Sequence, residues 1–156
     1  MLKQGDKAPE FVLANDEGVD TSLSDLLQDG PLILYFYPAD FTPGCTKEAC
    51  SIRDIHDDIQ AVGLTVVGIS PQDVDSHRKF RDEYKLPFTL LSDPNKEVIR
   101  MYDVDGMFGV GVQRATFLIS QDRKIQDAVI ANVRIARHAE FIERAVALRE
   151  TAGKRG

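Results

Sequence analysis

The sequence predicts one α/β domain built on a mixed central β-sheet flanked by helices, and three observations predict it. Four short apolar runs, rich in β-branched and aromatic residues, are each closed by polar or turn residues. Between them lie stretches in which apolar residues recur every three or four positions, and strands alternating with such stretches mark βαβ units. The 156 residues, 43% hydrophobic and 28% charged, are enough to bury a core and fall within the size of one domain.

Residues 11–14 (FVLA) form a short N-terminal strand, followed by the turn sequence NDEG and a capped helical piece beginning near Ser22. Residues 31–38 (PLILYFYP) are too short for a helix and are bounded by Gly30 and Pro38, so they read as a central strand buried on both faces. Residues 64–70, 88–92 and 115–120 read as further strands of the same sheet, and residues 43–62, 72–85 and 95–103 as the intervening helices. The turn-like QDRK then leads into residues 125–131, a hairpin partner that adds an antiparallel strand. A last helix over 137–149 closes the domain, and the tail 151–156 (TAGKRG) has the composition of a disordered terminus. With no repeat or linker, the expectation is a single domain over residues 1–156.

Charge and composition exclude several function classes. Nineteen Lys and Arg against 25 Asp and Glu give a net charge of −6, the wrong sign for gripping a phosphate backbone, so no nucleic-acid partner is expected. No apolar run approaches the ~20 residues of a bilayer helix, and MLKQGDKAPEFVLAN has neither an apolar signal core nor a small-residue cleavage site. The chain therefore reads as soluble and cytoplasmic, with no membrane partner. Two cysteines in a chain of this length do not make a stapling framework and need another explanation.

Residues 39–50 (ADFTPGCTKEAC) supply one, because they follow the strongest strand directly and open a helix, where backbone amides converge and ligands bind in open α/β sheets. Thr42 suits the N-cap and Pro43 the first helical turn, which puts Cys45 near the third helical position. Unpaired amides and the positive end of the helix dipole favour a thiolate there, the reactive form of the side chain. On placement alone two readings stand: a nucleophilic Cys45 with the Thr42 hydroxyl beside it, or a buried, inert small hydrophobe extending the stripe Ala49, Ile52, Ile55, Ile59 and Val62. Cys50 lies about 140° around the helix from Cys45, toward Arg53, Asp54 and Asp57. Its alternatives are a functional thiol on a polar side or an incidental cysteine covered by another element.

No metal site or cofactor is expected, since His56, His77 and His138 are scattered and no second ligand pair accompanies the cysteines. The histidines read as solvated, and residues 106–111 (GMFGVG) lack the lysine and the strand-turn-helix order of a phosphate loop and read as mobile. A cation to steady a thiolate is best supplied by Arg114, which enters a predicted core strand and can project from the end of the sheet; the alternative is an ordinary strand-edge arginine.

The segment YFYPADFTPGCTKEAC, residues 35–50, resembles the active-site segment of peroxiredoxins, in particular their peroxiredoxin Q or bacterioferritin comigratory protein branch. The family pattern of Pro, three residues, Thr, two residues, Cys falls on Pro38, Thr42 and Cys45, and the looser likeness extends through GDKAPEFVL near the N-terminus and RATFLI at residues 114–119. The resemblance implies a thioredoxin-like fold and a thiol peroxidase that reduces hydrogen peroxide and organic hydroperoxides, recharged by thioredoxin or a similar dithiol. It implies Cys45 as the peroxidatic cysteine, Cys50 as the resolving cysteine, Thr42 as the hydroxyl that orients peroxide and Arg114 as the cation that holds thiolate and substrate oxygen. Pro38 would shape the pocket and Glu48 would be a supporting carboxylate orienting Arg114. A monomer is expected, with a weak dimer as the alternative. Two other readings use the same thiols: a non-catalytic redox sensor, and a thiol-disulfide oxidoreductase, which the absence of CxxC and of a proline beside Thr116 disfavours.

Overall fold

The centre of the molecule is a strand, β3 (Leu32–Phe36), whose five residues are all buried. In the computed structural model, which describes Met1–Arg155, its side chains divide between two cores: Leu32, Leu34 and Phe36 face one, Ile33 and Tyr35 the other. A strand buried on both faces reads as an unbroken apolar run rather than an alternating one, which is why this segment stands out in the sequence.

The remaining elements in chain order are β1 (Val12–Asn15), β2 (Asp20–Ser22) and α1 (Leu23–Leu26) before β3, then α2 (Pro43–Asp54), α3 (His56–Ala61), β4 (Thr65–Ser70), α4 (Val74–Tyr84), β5 (Thr89–Ser92), α5 (Glu97–Met101), a 3-10 turn at Met107–Gly109, β6 (Ala115–Ile119), β7 (Ile125–Ile130) and α6 (Ala136–Arg155). The seven strands form one sheet in the order β2-β1-β5-β4-β3-β6-β7. Strands β3, β4 and β5 run parallel, while β1, β6 and β7 pair antiparallel with their neighbours, so the sheet is mixed. One face carries α1 and α5 around Phe11, Tyr102 and Phe117; the other carries α2, α3, α4 and α6 around Ile52, Phe80, Phe141 and Ile142.

Several expectations are refined. The polar strand β2 is held by its ladder with β1 and by Ser22, which ends the strand and caps α1 in a reciprocal capping box with Asp25. The helix expected over 43–62 is two helices: Ile55 leaves helical geometry at φ −111°, and α3 restarts with Asp57 and Asp58 in its first turn, where acids suit the helix dipole. Helix α6 runs past Arg149 to Arg155, so the backbone of the expected disordered tail is helical as far as it is described; Gly156 lies outside the described residues. In the glycine-rich loop, whose Met107, Phe108 and Val110 are exposed, Lys96 Nζ bonds Asp105 Oδ1 at 2.9 Å and the carbonyls of Gly109 and Gly111 at 3.0 and 2.7 Å.

The register of β3 against its neighbours sets the functional end. Phe36 pairs with Ala115 of antiparallel β6, so the chain leaving β3 and the residue entering β6, Arg114, lie side by side. Tyr35 pairs with Gly68 of β4, and its ring crosses the strand there: a Cβ at Gly68 would meet the Tyr35 Cζ at 2.7 Å and its hydroxyl at 2.9 Å. Gly68→Ala is therefore expected to cost about 1–3 kcal/mol through overpacking of the second core. Urea unfolding should show a lower midpoint with an unchanged slope.

Candidate active site

Helix α2 starts beyond the carboxyl end of β3 because residues 38–42 carry the chain off that strand and Pro43 can begin a helix without an amide hydrogen. Cys45 is the third residue of that helix and is 1% exposed. Thr42 stands at the N-cap, but its hydroxyl does not cap the helix; it donates to the Ala39 carbonyl at 2.9 Å and closes the 39–42 turn instead. The first-turn amides beside Cys45 thus have no capping side chain, which leaves the positive end of the helix turned toward the sulfur. Pro38 is half-buried just beyond β3.

Arg114 comes to this thiol from β6. Its Nη1 lies 3.2 Å from Cys45 Sγ and 2.8 Å from Glu48 Oε1, so one guanidinium nitrogen serves both the thiol and a carboxylate one turn farther along α2. Asn132, just past β7, accepts from the Arg114 amide at 2.7 Å, and the Ala131 amide donates to the Arg114 carbonyl at 3.0 Å. Gly44 clears the approach: a Cβ there would stand 3.2 Å from Arg114 Nη2 and 2.9 Å from Ile135 Cδ1. Burial works against the charged guanidinium, but the charges of Glu48 and Cys45 outweigh it and hold the Arg114 pKa above its ordinary value.

Glu48 is 2% exposed, and burial pushes its pKa up to about 7 against the pull of Arg114. Its second oxygen, Oε2, has no hydrogen-bond partner and lies 3.7 Å from His138 Nδ1. His138 is fully buried: Nε2–H donates to the Ala131 carbonyl at 2.9 Å, and Nδ1 faces the Thr116 hydroxyl at 2.8 Å. Burial lowers its pKa, and Arg114 and Arg137 push the same way. A neutral ring fits this geometry, with Nδ1 accepting from Thr116.

The loop that carries Thr42 is fixed by a second buried cluster. Asp40 accepts from Tyr37 Oη at 2.6 Å and Ser76 Oγ at 2.7 Å, and His77 Nδ1 lies 2.7 Å from Asp40 Oδ2. His77 Nε2–H donates to the Leu91 carbonyl at 2.9 Å, tying the loop to α4 and β5. Between Asp40 and Thr42, Phe41 adopts a positive φ of 65°, a left-handed conformation that costs a non-glycine residue about 1–2 kcal/mol, and its ring packs on Phe80.

The structure thus brings Cys45, Glu48 and Arg114 together, sets Thr42 one turn before Cys45, and leaves Cys50 partly exposed farther along α2. The expectation of solvated histidines is corrected: His56, His77 and His138 are all buried. His138 begins the spacing continued by Phe141, Ile142, Ala145 and Val146, and His77 stands three before Phe80. That stripe was the signal available for both. Asp40 had no such signal, because two of its partners, Ser76 and His77, come from α4.

Comparison with known proteins completes the description. The AhpC/TSA family profile matches residues 4–128. The chain is 45% identical over 150 residues to “Putative peroxiredoxin bcp” of Coxiella burnetii, covering 92% of this chain and 98% of that one. Among solved structures it is similar to peroxidoxin BcpB of Mycobacterium tuberculosis, with TM-score 0.89, 37% identity and coverage of 95% of this chain and 98% of that one. It is also similar to peroxiredoxin Q of Xanthomonas campestris, with TM-score 0.80, 30% identity and coverage of 88% and 90%.

Two outcomes follow from the geometry. Gly44→Ala should displace the Arg114 head from the thiol and slow alkylation of Cys45 by iodoacetamide severalfold, with little loss of thermal stability, as alkylation kinetics beside a melting curve would show. Glu48 binds its proton more tightly in the folded chain, at about 7, than at its ordinary value of 4.5. The native state therefore loses stability as pH rises through that window, on the order of 3 kcal/mol, and Glu48→Gln should remove this slope from urea unfolding measured between pH 4.5 and 7.5.

Proposed function

The chain belongs to the AhpC/TSA family and is a thiol-dependent peroxidase of the peroxiredoxin Q and bacterioferritin comigratory type, and from that premise we propose that Cys45 is its peroxidatic thiol and Cys50 its resolving thiol. The observation that carries the assignment is Arg114 Nη1 at 3.2 Å from Cys45 Sγ, at the third position of a helix whose first amides lack a capping side chain. A thiolate in that setting has a fixed cation and a helix terminus to hold its charge, and the same donors face the oxygen that departs. The sulfur attacks one peroxide oxygen and the O–O bond breaks; the distal oxygen leaves as water or an alcohol once protonated, and Cys45 becomes a sulfenic acid. Thr42 and Pro38 are the residues we assign to orienting and enclosing the peroxide, and Glu48 to orienting Arg114.

Resolution requires a change of backbone. Both cysteines sit in the unbroken helix α2, where five residues advance about 7.5 Å along the axis and turn the side chains apart. A disulfide needs Cα atoms within about 7 Å and converging Cβ vectors, so the first turns of α2 open before Cys50 condenses with the sulfenic acid and water leaves. A thioredoxin-type dithiol then restores both thiols by exchange. All of these side chains come from one chain, which suits a monomer, and two unpaired cysteines suit the reducing cytoplasm, where we place the protein.

Cys45→Ser should abolish peroxide reduction. Cys50→Ser should react once and stop at the sulfenic acid, seen as one added oxygen on Cys45 by mass spectrometry and trapped by dimedone. Sustained turnover in Cys45→Ser would remove the assignment; a rapid intramolecular disulfide in Cys50→Ser cannot form and so serves as the control.

A further inference from the structure

We infer that Glu48 is a redox-linked proton site: it holds a proton while Cys45 is a thiolate and releases it when Cys45 becomes a sulfenic acid. The inference rests on the assignment of Cys45 as the peroxidatic thiol and goes beyond a merely orienting role for Glu48.

The geometry that carries it is a count of charges against partners. A single guanidinium nitrogen, Arg114 Nη1, is shared by Cys45 Sγ at 3.2 Å and Glu48 Oε1 at 2.8 Å, and both acids are buried. With Cys45 as thiolate and Glu48 as carboxylate, two negative charges would face one positive charge out of water, and two acids crowded on one site do not both ionise. The chemistry needs the charge on sulfur, so the carboxyl is the group that stays neutral. Its Oε2 has the position to carry the proton: it is buried with no acceptor role filled, and it faces His138 Nδ1 at 3.7 Å. That nitrogen already accepts from the Thr116 hydroxyl, and the other ring nitrogen donates to the Ala131 carbonyl, so His138 has no proton to offer Oε2. A charged carboxylate oxygen there would stay buried with no donor, a cost that protonation removes. Among the described residues Arg137 acts on His138 from α6, and Tyr35 on β3 also faces this cluster, its buried hydroxyl without a partner and its phenol held neutral by burial and by nearby acidic groups. The raised pKa of Glu48, about 7, agrees with a group that changes state near neutrality.

Oxidation removes the reason for the proton. The thiolate sulfur gives its electron pair to the proximal peroxide oxygen and is oxidised; the O–O bond breaks, and the distal oxygen is reduced and takes up one proton to leave as water or alcohol. The sulfenic acid is neutral, so Arg114 then faces Glu48 alone and favours its carboxylate. One proton is consumed at the leaving oxygen and one is given up by Glu48, so the step as a whole draws none from the solvent. Without Glu48 the same step must draw one. His138 acts only through Glu48, as a positioning residue whose neutral ring, held by Thr116 and Ala131, gives Oε2 no donor.

The test uses Cys50→Ser, which stops at the sulfenic acid, treated with one equivalent of hydrogen peroxide near neutral pH in weak buffer with a pH indicator. Net proton uptake per sulfenic acid formed is expected to be near zero with Glu48 present and near one in the Cys50→Ser, Glu48→Gln double variant. The oxidised-minus-reduced infrared difference spectrum should lose the carbonyl stretch of a protonated carboxyl. That spectrum needs no substitution at Glu48, so it decides the matter even where the double variant fails to fold. A full equivalent of dimedone-trapped acid at Cys45 with no loss of the carboxyl band overturns the inference while leaving the peroxidatic assignment intact. Absence of the acid overturns both.

Discussion

One buried cation shared between a thiol and a carboxylate is the constraint on which the rest of the site depends. Arg114 has lost most of its water, and a guanidinium in that position is tolerable only if its hydrogens meet acceptors and one negative charge stands beside it. The fold supplies them from a single helix turn, Cys45 and Glu48 at spacing i and i+3, while the Phe36–Ala115 register delivers the arginine from the neighbouring strand. Asn132 and Ala131 hold its backbone, and the missing side chain at Gly44 leaves room for its head. Sheet register, hairpin and helix start are thus separate solutions to one requirement: fixed positive charge beside a buried sulfur.

The same helix serves two opposed needs. Activation wants the first turn of α2 formed, because its dipole and free amides act only when aligned; resolution wants it opened, because the two sulfurs of Cys45 and Cys50 do not converge in a helix. The structure limits what must move. Residues 37–40 are held by the Tyr37, Asp40, Ser76 and His77 cluster, and Ile52 and Ile59 are fully buried on the far side. Between these fixed points the first turns of α2 are bounded by a positive-φ residue, Phe41, and contain Gly44, whose helical residues gain most entropy on unwinding. Local stability lower than that of the flanking core is the property such a segment needs.

Much of this was legible without coordinates. The doubly buried β3 announced itself as an uninterrupted apolar run, and the Thr-Pro-Gly-Cys start put Cys45 at the third helical position, where it is found. The hairpin of β6 and β7 followed from turn chemistry, and Arg114 from its entry into a core strand. What escaped was of two kinds. Polar elements held by tertiary partners, such as β2, carry no apolar period, and the break at Ile55 is masked because the stripe of Ala49, Ile52, Ile55 and Ile59 keeps its phase across it. Buried polar residues were read from residue type rather than from position: His77 and His138 occupy core positions of their helices, and only partners distant in sequence, Asp40 and Leu91 for one and Thr116 and Ala131 for the other, make that burial tolerable.

Those two histidines expose a difference that chemistry alone would hide. On either side of Cys45 stands a buried carboxyl with a buried imidazole within 4 Å, Asp40 with His77 and Glu48 with His138. Asp40 accepts the Tyr37 hydroxyl on one oxygen and the Ser76 hydroxyl on the other, with His77 Nδ1 2.7 Å from the second. A carboxyl with both oxygens engaged is a fixture of the loop. Glu48 has one oxygen on Arg114 and the other on nothing, facing a ring nitrogen whose lone pair points toward Thr116. Counting donors separates the two: the full carboxyl fastens the backbone that leads into the helix, and the half-empty one keeps a place for a proton beside the sulfur whose charge comes and goes.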